Sequence, residues 1–293
     1  PSFIAEPNPK EYHEKEKIAR EPFEYKLDRS IYFGNWNQDG LRHGYGYLVR
    51  ENGSKLEGLW QDGELYKGRI FDNAGNYYEG DIKNLEPLGE GTYTGVNGLK
   101  YSGGWLNGTY NDYGQLILPD RTVYKGNFKN GLFEGKGNIT WPNGMTYEGN
   151  FINNCISGKG KMTTREAECY SGEWENNIPH GHGTYEWRRH ECKYVGDYKY
   201  GRKDGYGRYD FPDGEFYEGS WFNDKPHGVG KCSNTGKEVY GTWRYGTLIE
   251  SEDPTDTSRK SVFMNEFWKS NNNIVQNMTY TQSLGKNQGF VGN

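Results

Sequence analysis

The sequence predicts an all-β protein: an elongated, twisted, single antiparallel sheet of about ten consecutive β-hairpins, with a short C-terminal helix. Three observations predict it. A pattern of aromatic-x-Gly-x-aromatic recurs at steps of 22 to 24 residues, Asn-Gly and Asp-Gly pairs fall between its copies, and 16% of residues are aromatic, beside 43 glycines. With only 32% of residues hydrophobic, no thick aliphatic core is available, so the rings must supply most of the burial. Disordered chains are poor in aromatic residues, which this one is not.

Residues 1–31 are a charged lead-in, with Glu6, Glu11, Glu14, Glu16, Glu21, Glu24 and Asp28 among its acids. The stretch from Glu11 predicts a short helix ending at Pro22, after which the chain leads into the sheet. The acidity argues against a mitochondrial presequence, and no apolar signal core is present.

The array covers residues 32–249. Its copies start at Tyr32, Leu56, Tyr78, Tyr101, Tyr124, Tyr147, Tyr170, Tyr194, Tyr217 and Val239. The third position is glycine in every copy, from Gly34 to Gly241, and the fifth is aromatic in all but one, where Ile82 stands. A later Gly-x-Gly recurs in seven copies, Gly158/Gly160 and Gly228/Gly230 among them; the second and fourth keep one glycine each, Gly68 and Gly114. Positions one, three and five of a strand share one face, so each copy presents ring, bare glycine, ring. The glycine leaves a slot in which a neighbouring ring lies against backbone. Pairs such as Asp62-Gly63 and Asn130-Gly131 reverse the chain within a copy, and Asn97-Gly98 and Asn143-Gly144 reverse it between copies. The tenth copy is expected to stop after its first strand.

Read together, Tyr-x-Gly-x-Trp, a turn, Gly-x-Gly-x-Tyr and a closing Asn/Asp-Gly resemble the MORN repeat. "YKGNFKNGLFEGKGNITWPNG" at 124–144 and "YEGSWFNDKPHGVG" at 217–230 are close to its pattern. The resemblance implies a non-enzymatic scaffold binding other proteins within a larger complex. It also implies a cytoplasmic, cytoskeletal or ciliary setting, as in axonemal radial-spoke heads. The alternatives it leaves are a peripheral membrane tether and a regulatory subunit of an enzyme on another chain.

Residues 250–293 change in composition. Val262, Phe263, Phe267 and Trp268 fit one face of a short helix, expected to cap the open sheet end or dock on a partner. The last stretch is polar and rich in Asn and Gln.

Chemistry is scarce. The Gly-x-Gly pairs lead into strand-like residues, whereas a phosphate loop needs a following helix. His43, His180 and His227 each stand about a repeat or more from the next and read as polar turn residues. Cys155, Cys169, Cys192 and Cys232 lack Cys-x-x-Cys spacing and are expected reduced; Cys169 and Cys192, one repeat apart, are expected as neighbours on the sheet. No catalytic set stands out, and no metal or cofactor is expected. A net charge of −5 gives no field for nucleic acid and weighs against a membrane surface.

What remains is the aromatic face. Tyr124, Phe128, Tyr147, Phe151, Tyr170, Trp174, Tyr194, Tyr198, Tyr217, Trp221 and Trp243 are the candidate lining of a groove for an amphipathic helix or extended peptide.

Overall fold

A computed structural model describes residues 18–19, 21–234 and 236–251. The region expected to hold the C-terminal helix, with Val262, Phe263, Phe267 and Trp268, lies outside the described residues. The described residues are almost entirely strand, joined by tight turns, with a single 3-10 turn at Arg188–His190. They fall into two compact units, one ending at Leu132 and one starting at Phe133, so the division lies inside the repeat array. Contacts in such arrays run chiefly between neighbouring repeats.

In the first unit the repeats pair antiparallel in order, beginning with Ile31–Trp36, Arg42–Val49 and Lys55–Gln61. Glycine faces glycine at every step: Gly34 pairs with Gly46, Gly46 with Gly58, Gly58 with Gly68 and Gly68 with Gly80. The second unit repeats the rule. Gly137 faces Gly149, which faces Gly160, then Gly172, Gly183, Gly196, Gly207, Gly219, Gly230 and Gly241. Each unit therefore carries a row of bare Cα atoms across its strands.

The lead-in differs from expectation. Ile18–Ala19 and Phe23–Glu24 are short strands that pair with Ile31–Trp36, where a helix had been predicted at the first of them. The first strand of the array has no preceding repeat, and pairing with the lead-in satisfies its outer backbone groups. Phe23 also sets its ring edge-on to Trp36 at 5.6 Å. The tenth copy differs as well, because Thr247–Ser251 returns against Lys237–Arg244 and completes a hairpin.

Nine of the hairpin turns put both central residues at positive φ, as two-residue turns matched to strand twist require. Seven begin with Asn or Asp, as at Asn153 and Asn176; the other two begin with Tyr200 and Tyr245, at φ 50° and 48°. No helix among the described residues is long and apolar enough to cross a membrane.

Candidate functional site

The two glycines of each Gly-x-Gly do different work. The first takes a left-handed backbone, as at Gly135 (φ 67°), Gly158 (77°) and Gly228 (90°), the last two beside a register shift in their hairpins. In the fourth copy Asp112 takes that conformation instead, at φ 58°. The second glycine is required by space. A Cβ on Gly160 would run into the Tyr147 ring, and one on Gly183 or Gly207 into Tyr170 or Tyr194.

The first-position tyrosine thus lies across the glycine row. Its hydroxyl donates to the carbonyl three residues on: Tyr101 to Gly104 at 2.7 Å, Tyr170 to Glu173 at 2.9 Å, Tyr217 to Ser220 at 2.9 Å. Burial pushes the hydroxyls of Tyr147, Tyr170, Tyr194 and Tyr217 far above the ordinary phenol range. Each tyrosine also meets two fifth-position rings edge-on. Tyr147 contacts Phe151 at 5.3 Å and Trp174 at 5.6 Å; Tyr194 contacts Tyr198 at 5.3 Å and Trp221 at 5.1 Å. Such pairs add about 0.5–1.5 kcal/mol each beyond burial. The indoles of Trp174 and Trp221 donate back to the carbonyls of Gly160 and Gly207.

This arrangement corrects the expected groove. Tyr124, Phe128, Tyr147, Phe151, Tyr170, Trp174, Tyr194, Tyr198, Tyr217, Trp221 and Trp243 are all buried, none more than 7% exposed. Flat tyrosines on glycine backbone, wedged by edge-on rings, close that face on itself. No lining is left open for a helix at these positions.

What each unit presents instead is the opposite face and the turns. Outward strand positions carry ladders of charge: Lys55, Glu57, Arg69 and Glu79 on one, Arg208, Glu218 and Lys231 on the other. At the turns, the histidines read as turn residues brace the following hairpin. His43 approaches Asp62 at 3.7 Å, while the rings of His180 and His227 pack on Tyr200 and Tyr245 at 5.6 and 4.8 Å. Cys169 and Cys192 are buried free thiols and are not the expected neighbours, because the strand Ile178–Trp187 lies between theirs; Cys169 pairs in register with Glu186, and Cys192 with Trp187.

Among the described residues one charge is inside. Lys203 fills a place that Ile156 and Pro179 fill in earlier repeats, and its ammonium stands 4.9 to 5.3 Å from the rings of Trp187, Tyr209, Tyr194 and Trp221. Burial lowers its pKa to about 8, against the pull of Asp224 and Cys192. Composition gave no sign of it, since "RKDG" reads as a solvated turn.

The MORN repeat family matches the sequence at residues 32–55, 78–100, 124–146, 147–165, 170–190, 194–216 and 217–238. No curated protein sequence matches the chain. Among solved structures, the TCP10 domain of Danio rerio CPAP in complex with a peptide of Danio rerio STIL is similar at TM-score 0.42 and 13% identity, covering 75% of this chain and 98% of that one. The SAS-4 (dCPAP) TCP domain of Drosophila melanogaster, in complex with a proline rich motif of Ana2, is similar at TM-score 0.32 and 8% identity, covering 68% and 90%.

Proposed function

The chain belongs to the MORN-repeat family, and we propose that it is a non-enzymatic scaffold whose outward positions hold other proteins in a larger assembly. One observation carries the reading. Within this one sequence the inward positions repeat while the outward ones vary. Tyr147, Tyr170, Tyr194 and Tyr217 occupy one inward place, whereas their next neighbours are Glu148, Ser171, Val195 and Glu218. A constant interior with a changing exterior suits a surface that presents different contacts at fixed intervals.

A cytoskeletal or ciliary assembly of the radial-spoke kind is the setting we propose, in keeping with the family resemblance. The test is capture of partners by the full chain in cells, compared with Arg69→Glu and Arg208→Glu on the outward ladders. Partners should be lost while melting temperature holds. If the partner set survives every outward charge reversal, the scaffold reading fails. Tight pelleting with anionic liposomes at physiological salt would favour the membrane alternative instead.

A further inference from the structure

We propose that the turn ridge of repeats eight to ten, centred on Tyr200 and Tyr245, is a docking site for an acidic peptide in extended form. This rests on the scaffold reading and names where one partner sits.

The starting point is a conformation that the side chain opposes. Left-handed backbone disfavours bulky residues, and Asn, Asp or Gly relieves it. Seven of the nine positive-φ hairpin turns begin with Asn or Asp; Tyr200 and Tyr245 do not. Neither ring is buried in return, since Tyr200 is 68% and Tyr245 58% exposed. Both rings are nevertheless held in place, by His180 on one and by His227 with Phe222 on the other. Strain at an exposed, braced aromatic points to a role outside the fold.

Charge selects the partner. Although the chain carries −5 overall, the ridge exposes Lys199, Arg202, Lys225 and Arg244. These four exposed cations outnumber the three neighbouring carboxylates, Asp224, which accepts the Lys203 N–H, Asp204, which accepts the Asn223 N–H, and Glu175, 3.4 Å from His180. An acidic segment matches that balance.

Backbone geometry selects its form. The turn N–H groups are already spent, Gly201 on Pro179, Gly246 on Pro226 and Asp224 on Lys203, so no ladder is offered to an added strand. An amphipathic helix would bury charge here, because the rings stand among cations. An extended polyproline-type segment needs no ladder and packs its rings or prolines on aromatics. Tyr200 and Tyr245 lie two repeats apart, about 19 Å at ~4.8 Å per strand, which about six such residues span at ~3.1 Å each.

The test uses the full chain and a labelled (Glu-Pro-Pro)4 peptide in fluorescence anisotropy, with (Lys-Pro-Pro)4 as the charge control. Saturable binding of the acidic peptide, weakened at least tenfold in Tyr200→Asn/Tyr245→Asn, supports the proposal. Asn is the residue other turns of this chain use, so the double variant keeps its melting temperature. Equal binding of the lysine peptide, no binding of the acidic one, or binding indifferent to the double variant overturns it. If the acidic peptide fails in any of these ways while the outward ladders still hold cellular partners, this proposal falls and the scaffold reading stands.

Discussion

Asn177 and Ile156 exchange two hydrogen bonds across neighbouring repeats. The Asn177 side chain accepts the Ile156 N–H at 2.8 Å, and the Asn177 N–H donates to the Ile156 carbonyl at 2.9 Å. Asn154 and Asp224 treat Phe133 and Lys203 the same way. Where the facing residue is Pro179 or Pro226, with no N–H to satisfy, the turn residue is Gly201 or Gly246. At these five turns side chain and partner are matched, whereas Gly63 and Gly131 stand against Arg42 and Tyr110 with no side chain to offer.

Asn177→Gly removes the acceptor but keeps a residue at ease at φ 69°, so it should cost about 1–3 kcal/mol for the orphaned, buried N–H. Asn177→Ala adds left-handed strain and should cost more. Urea unfolding of both variants measures the order, and Ala equal to Gly would contradict it.

The two glycines of one pair should respond oppositely to the same change. Gly158→Asp, following the example of Asp112, is expected to stay within about 1 kcal/mol of the parent. Gly160→Asp drives its side chain into the Tyr147 ring and should lower melting sharply. Adding Tyr147→Leu should restore part of the loss, and calorimetry of the double-mutant cycle reads the coupling.

Lys203→Met should stabilise the chain near pH 7. The Lys203 pKa in the fold is about 8, below its ordinary value of 10.5, so the folded state gives up its proton first. Between those values the unfolded state binds more protons, and this residue's contribution therefore rises with pH. At pH 7 the charged amine in its cage is a penalty, which cation–π contact with four rings only partly offsets. The advantage of the Met variant should shrink as pH climbs from 8 to 9.5. A constant advantage would mean that packing, not protonation, sets it.

At higher pH the tyrosines take over. Their hydroxyls ionise far later in the fold than the usual 10 of an exposed phenol, so above pH 10 the unfolded chain loses protons that the folded chain keeps. Stability should fall steeply there, with absorbance of tyrosinate appearing together with loss of near-ultraviolet circular dichroism. Gradual ionisation of these rings with the fold intact would sink the assignment.

Much of this fold was legible because the repeat is short and its turns are chemically marked. Tyr-x-Gly-x-Trp fixed strand, face and period at once. The aromatic face was misjudged because alternation tells which residues share a side, not how they cover each other. That Tyr147 lies over Gly160 depends on a cross-strand register beyond its own five residues. The tenth hairpin was missed because Tyr245-Gly246 lacks the Asn or Asp that usually signals such a turn. Lys203 was hidden for a similar reason: its cage comes from Trp187, Tyr194, Tyr209 and Trp221, contributed by separate strands.

The glycine row makes the chain editable in whole units. Because the row runs glycine to glycine from Gly149 through Gly160, Gly172 and Gly183 to Gly196, excising residues 170–192 leaves Tyr147 beside Tyr194 with the same partners on offer. Removing a single residue from one strand instead turns its rings to the solvent side. Duplication and loss of entire hairpins is therefore the mutational route open to this architecture, and its contacts can be re-spaced without redesigning a single joint.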